Sequence, residues 1–299
     1  MNTTSATTMR RLGFTLIEVL VVIAIIAILA ALLLGGVMAF MKKGPEMVSK
    51  SDIQQLSTSL DQFKGKFKQY PPSQIVLRST ISSYNMGNKL EADSVNWIMT
   101  LWPNISTTKV LQWAPGFVGP ATLEGDQSLV LFLGGPPNGS GGVSGWSTDP
   151  TDPTNPATVD RVKFYDFPPG RLTVFPNATG TRGPFPSYVD GWGKLPYIYF
   201  GSGKKADGYD PLLALGFPTK VTAFNKVVTP YYATAATATA PPSGYFNSTK
   251  FQLISAGRDA TALPVSGGFG PGGLWPPFQP PEGLDDICNF NNDKVLGTQ

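Results

Sequence analysis

The chain has 299 residues, a formal net charge of +3, no histidine and one cysteine. Lack of histidine removes the commonest general base, the usual nucleophile triads and most zinc sites; Cys288 alone cannot close an internal disulfide, and so small a charge argues against a nucleic-acid partner. Glycine and proline make up about a fifth of the chain and charged residues only 14 %, which predicts one globular domain with long irregular connections rather than disorder.

Residues 1–13 are polar and end on Arg10, Arg11, Leu12 and Gly13. Phe14 to Met41 follow with a single charge, Glu18. At about 1.5 Å per residue this run gives roughly 42 Å of helix, more than the ~30 Å of a bilayer core requires. An ordinary secretory signal has an apolar region of about 7 to 15 residues and then a small-residue cleavage site. Here the run continues past Ala30-Ala31 and Gly35-Gly36 through Val37, Met38 and Phe40, so residues 14–41 read as a transmembrane helix. A carboxylate so deep in an apolar run costs a few kcal/mol unless something neutralises it, which marks Glu18 as a functional candidate. Charge alone leaves the orientation open, because Arg10 and Arg11 flank one end and Lys42 and Lys43 the other.

Gly44-Pro45 punctuates the helix, with proline able to start a renewed segment or to kink it. Beyond it, Ile53, Leu56, Leu60, Phe63 and Phe67 recur at spacings of three and four and share one helical face, while Lys50, Asp52, Gln54, Gln55, Asp61, Lys64 and Lys68 fill the other sides. Residues 42–70 are therefore an amphipathic continuation of the helix, stopped at Tyr70-Pro71-Pro72. Residues 71–299 form the globular domain. Its segment from about 73 to 184 is read as a loop-rich insertion, punctuated by Gly134-Gly135-Pro136-Pro137, Gly139-Ser140-Gly141-Gly142 and the Asp-Pro pairs of residues 148–156. Within it, Ser94 to Leu101 and Ser128 to Leu133 are apolar enough for core elements, the latter either a short strand or a buried helical turn.

Further on, Asp190-Gly191 predicts a turn, Trp192 a core plug against the helix, and Tyr197, Ile198 and Tyr199 the start of a strand. Lys250 to Ala256 predicts another strand, and Leu284-Asp285-Asp286-Ile287-Cys288-Asn289-Phe290 a final element. Thr234 to Ala240 alternates Thr and Ala and reads as an exposed loop or a weak strand. Gly268 to Gly273 has the letters of a dinucleotide fingerprint but not the context, since no helix can open into Leu274-Trp275-Pro276-Pro277.

Arg10-Arg11 with Gly13-Phe14-Thr15-Leu16-Ile17-Glu18 resembles the prepilin cleavage and methylation signal of type IV pilins and type II secretion pseudopilins. Leu60-Asp61-Gln62-Phe63-Lys64 with Tyr70-Pro71 is similar to the major-pseudopilin pattern Leu-Asp-x-Tyr-Lys closing on Tyr-Pro. Asp190-Gly191-Trp192-Gly193 with Pro196-Tyr197-Ile198-Tyr199 looks like Asp-Pro-Trp-Gly-x-Pro-Tyr-x-Tyr, with Gly191 for a proline and Leu195 extra. The stretches ending at Asp259 and at Asp285-Asp286-Ile287 resemble two further family elements, in the same order.

The resemblance implies an α+β, pilin-like fold in which the long N-terminal helix, membrane-embedded in its first half, packs against a small antiparallel sheet with long loops. It implies a leader of residues 1–13 removed between Gly13 and Phe14 by a prepilin peptidase that also N-methylates Phe14. Glu18 is then the assembly residue, pairing with the new Phe14 ammonium. Asp259, Asp285 and Asp286 fall on the family's calcium positions, although the spacer from Thr261 to Gly283 is longer and more apolar than the family loop. The implied role is structural and not enzymatic: a subunit of a type II secretion pseudopilus, a homo-oligomeric filament that works with minor pseudopilins and an inner-membrane assembly platform. The implied location is a single pass through the inner membrane with the C-terminal domain in the periplasm, then the pseudopilus. A type IV pilin or minor pilin for adhesion, motility or DNA uptake is the alternative; the single cysteine and the Asp-Asp-Ile ending argue against it.

Overall fold

The computed structural model describes residues 15–177, 180–181, 183–202, 230–234, 243–257 and 287–290. The chain divides into two units, Met1–Gly44 and Pro45–Gln299. Helix α1, Leu16–Phe67, contributes to both, and its helical assignment runs through Pro45. In the first unit Leu16–Leu33 is long and apolar enough to cross a membrane, and its side chains are exposed throughout. Such a surface is stable against lipid and unstable against water.

In the second unit, Ile53, Leu56, Leu60 and Phe63 of α1 are fully buried and Phe67 is partly so, as the three-and-four spacing requires. Asp52 departs from that pattern: it is buried beside Ile53. The helix ends at Phe67, ahead of Tyr70 and the proline pair, with Lys68 at a positive φ of 62°, and its last turn is clasped from outside. Tyr70 Oη donates to Asp61 Oδ1 at 2.7 Å, and Lys64 Nζ lies 4.4 Å from the Tyr70 ring centre. Burial, then the bond to Asp61, pushes the Tyr70 hydroxyl above the ordinary phenol range, so it stays a donor. The spacing of Asp61, Lys64 and Tyr70 in the sequence is thus a structural fastening of the helix end.

Strand β1 (Ile75–Leu77) is followed by α2 (Lys89–Leu101), capped by Asn88, whose side chain accepts from the Glu91 amide. β1 pairs antiparallel with β2 (Ala121–Leu123). Helix α3 (Gly125–Gly134) then enters through a capping box between Glu124 and Gln127, and all ten of its residues are buried. The apolar run Ser128 to Leu133 is therefore helical. A helix buried on every side lies inside a core, and this one runs against the strands Ser187–Tyr188 and Ile198–Gly201. Short antiparallel pairs follow: β3 (Trp146–Ser147) with β4 (Arg161–Val162), β5 (Leu172–Thr173) with β8 (Ser187–Tyr188), and, between the latter two, β6 (Pro176–Asn177) with β7 (Gly180–Thr181). Among the described residues, 73–184 thus combine long connections with two α-helices, one of them in the middle of the core.

The C-terminal part holds β9 (Ile198–Gly201), β10 (Tyr232–Thr234), β11 (Ser243–Tyr245), β12 (Phe251–Ser255) and β13 (Ile287–Cys288). β10 and β11 pair antiparallel. β9, β12 and β13 form an antiparallel sheet in the order β13-β12-β9, with Leu253 opposite Tyr199 and Ile254 opposite both Ile198 and Cys288. Three stretches separated by up to about ninety residues therefore meet in one sheet. The core runs from the helix face to this sheet through rings: Phe63 meets Phe132 of α3 edge-on at 6.1 Å, and Tyr70 meets Phe251 of β12 edge-on at 5.1 Å. The architecture is α+β, with an apolar N-terminal helix and small antiparallel sheets, consistent with a pilin-like fold.

The insertion is held to its own helix by charge. Arg78, just after β1, donates to Glu91 of α2 in a two-pronged bond, Nε to Oε2 at 2.6 Å and Nη2 to Oε1 at 2.8 Å, and the Asn85 amide adds a third at 2.8 Å. These donors, Arg78 foremost, lower the Glu91 carboxyl from its usual 4.5 to about 2. Because the folded value is depressed, this stabilisation is complete above pH 4.5 and is lost as pH falls toward about 2. Glu91→Gln is expected to flatten the acid limb of the stability profile between those values in pH-dependent denaturation; an unchanged limb would show that Glu91 carries no part of it.

Candidate functional site

The helix start and the buried face of α1 carry the polar groups of interest, in separate units. At the start, Thr15 immediately precedes the helix and Glu18 lies in its first turn. The Thr15 amide and hydroxyl both donate to Glu18 Oε2, at 2.9 and 2.8 Å, and the Glu18 amide donates back to Thr15 Oγ1 at 3.3 Å. This reciprocal arrangement satisfies otherwise orphaned donors at a helix end, where the backbone dipole also favours negative charge. The lone carboxylate of the apolar run is thereby held by its own chain while its side chain stays exposed. Gly13 and Phe14 lie outside the described residues.

In the second unit, the sequence pattern placed Asp52 on a solvated side of the helix; the structure buries it. Arg171 Nη2 donates to Asp52 Oδ2 at 2.6 Å, Tyr197 Oη to the same oxygen at 2.6 Å and Tyr188 Oη to Oδ1 at 3.2 Å. Arg171 also donates to the Val189 carbonyl and stacks on the Tyr188 ring, with 4.4 Å from its central carbon to the ring centre. Burial pulls the guanidinium down, but the bond to Asp52 and the surrounding charges outweigh it, and the net shift is upward. Burial, with Asp52 nearby, drives Tyr188 and Tyr197 upward as well. All three therefore stay protonated donors. Asp52 fastens α1 to Arg171, Tyr188 and Tyr197.

One turn earlier on the helix, the Asp190-Gly191 turn docks. The Gly191 amide donates to Ser49 Oγ at 3.0 Å, and a side-chain carbon at 191 would fall 2.3 Å from the Pro45 carbonyl oxygen. A proline here could neither donate that bond nor fit, which accounts for glycine at the position. Asp190 turns inward, accepting from Ser255 Oγ of β12 at 2.9 Å and from the Trp192 amide at 3.1 Å, and its burial raises the carboxyl's pKa. The expected core plug, Trp192, is only partly buried; Tyr197 and Tyr199 fill that role and are fully buried.

Asp259, Asp285 and Asp286 lie outside the described residues. Among the described residues, no three or more of His, Cys, Asp and Glu come together as a metal-binding group.

The prokaryotic N-terminal methylation motif is matched over residues 8–34. The chain carries this motif at its N-terminus. Type II secretion system core protein G of Pseudomonas aeruginosa is 39 % identical over 69 residues, 23 % of this chain and 49 % of that protein. The same-named protein of Escherichia coli K12 is 37 % identical over 71 residues, 24 % and 49 % respectively, and that of Pectobacterium carotovorum 34 % over 73 residues, 24 % and 47 %. The chain spans about half the length of the curated relatives it matches, and no solved structure matches it. The similarity lies in the N-terminal ~70 residues, the methylation motif and the helix that follows it.

Proposed function

We propose that the protein is a structural subunit of a type II secretion pseudopilus. The single observation that carries this is the methylation motif of residues 8–34, which contains Glu18 at the head of a membrane-length helix. The similarity to core protein G supports the same reading. On this reading a prepilin peptidase cleaves between Gly13 and Phe14 and methylates the new amine. The subunit waits in the inner membrane with its C-terminal domain in the periplasm, and an assembly platform draws it into a helical filament with copies of itself and minor pseudopilins. An ammonium on Phe14 and the carboxylate of Glu18 are opposite charges in an apolar medium, where pairing offsets part of the desolvation of both. Apolar stems packed side by side supply the remaining cohesion. No catalytic step belongs to this role.

Mass spectrometry of the N-terminus of the mature protein tests the reading. A start at N-methylated Phe14 is expected. A start at Met1, or at a residue beyond Gly36, overturns it.

A further inference from the structure

The exposed loop between α3 and β3 carries Asn138-Gly139, which occurs once in the 299 residues. The loop is closed on itself: Asn138 N donates to the Gly142 carbonyl at 3.0 Å, and Pro137 and Val143 form a bridge beneath it. Asn138 Oδ1 accepts two backbone amides, Ser140 N at 2.9 Å and Gly142 N at 3.0 Å. The Gly139 amide nitrogen between them makes no hydrogen bond among the described residues, and glycine puts no side chain in the way.

We propose that Asn138-Gly139 is a self-modification site at which the chain deamidates itself. The chemistry follows from the placement of the groups. The Gly139 nitrogen loses its proton to hydroxide and attacks the Asn138 side-chain carbonyl carbon, forming a five-membered imide ring. Charge develops on Oδ1 during the attack, where two amide donors already point, the arrangement that stabilises an oxyanion in acyl transfer. The bond to Nδ2 then breaks, and the nitrogen leaves as ammonia. Water opens the imide at either carbonyl, leaving aspartate or isoaspartate at 138. The net change is amide plus water to carboxylate plus ammonium, with no oxidant or metal involved.

Either product places a negative charge on an exposed loop of a domain whose formal balance is small. Isoaspartate also lengthens the backbone by one carbon inside the 138–142 turn, so the loop records the age of the molecule in its shape. The modification is independent of the pseudopilus reading and survives its failure.

The test incubates the detergent-solubilised full chain at mildly alkaline pH and follows each asparagine by peptide mass spectrometry, beside a synthetic peptide of residues 136–143. The expected result is a gain of about one mass unit at Asn138 ahead of Asn85, Asn104 and Asn155, with isoaspartate detected, at a rate above that of the free peptide. Ser140→Pro removes one donor to Oδ1 and is expected to slow the reaction roughly tenfold, less than in a buried oxyanion site because water competes here. Gly139→Ala, which crowds the attacking nitrogen, is expected to slow it too. Conversion in the peptide but not in the folded chain overturns the proposal, as does a Ser140→Pro chain that converts as fast as the unaltered one.

Discussion

Replacing Asp52 by alanine is expected to cost about 3–5 kcal/mol of folding stability, because it strips a partly buried guanidinium of its counter-charge and leaves two buried phenols without this acceptor. Arg171 reaches Asp52 across 119 residues of sequence, and the pair ties α1 to the end of the insertion. The Arg171 side chain is 26 % exposed, so water will recover part of the loss and the lower end of the range is the better figure. Joint replacement of Asp52 by alanine and Arg171 by methionine removes both charges and is expected to restore part of the stability, since a buried pair and an apolar replacement of similar size are often close in energy. Denaturant unfolding of the detergent-solubilised chain, followed by tryptophan fluorescence, measures both. A single substitution costing under about 1 kcal/mol, or a double variant less stable than the single, would refute this account.

Gly125→Ala is expected to be comparably damaging, although alanine is the better helix former by about 1 kcal/mol. A side-chain carbon at 125 would lie 1.9 Å from the Tyr199 carbonyl oxygen. Tyr199 cannot step aside, because it sits in β9 opposite Leu253 of β12 and its hydroxyl donates to the Pro71 carbonyl at 2.8 Å. Overpacking against backbone costs about 1–3 kcal/mol, at the upper end where neither element can shift. Gly65→Ala provides the opposite sign from the same chemical change: nothing lies within 4 Å of that position on the exposed side of α1, and a gain of about 0.5–1 kcal/mol is expected. If both substitutions move the unfolding midpoint in the same direction, close packing of α3 on β9 is not what selects glycine at 125.

These two sites also mark where sequence reasoning stops. Hydrophobic spacing is a local property, so the apolar run with its one carboxylate, the face Ile53-Leu56-Leu60-Phe63 and the stop at Tyr70-Pro71 are all legible without a structure. The strands at Ile198–Gly201 and Phe251–Ser255 are legible for the same reason, β-rich apolar runs bounded by turn residues. Thr15 is in hindsight legible too: a threonine three residues ahead of a glutamate at a helix start is a capping signature.

Asp52 is different. On spacing alone an aspartate beside Ile53 belongs to the wet side of a helix, and nothing near it in sequence names Arg171, Tyr188 or Tyr197 as partners. The run Ser128 to Leu133 is short enough to suit either a strand or a helix, and only its enclosure by β8 and β9 makes burial on every side affordable. By itself the sequence determined the membrane-length helix, its signal and the amphipathic face that continues it, because each depends on neighbours within a few residues. Only the tertiary structure decided which buried charge is compensated, which apolar run becomes α3 and which strands adjoin, because those outcomes depend on pairings between residues far apart in the sequence, from Ser255 with Ile287 to Asp52 with Arg171.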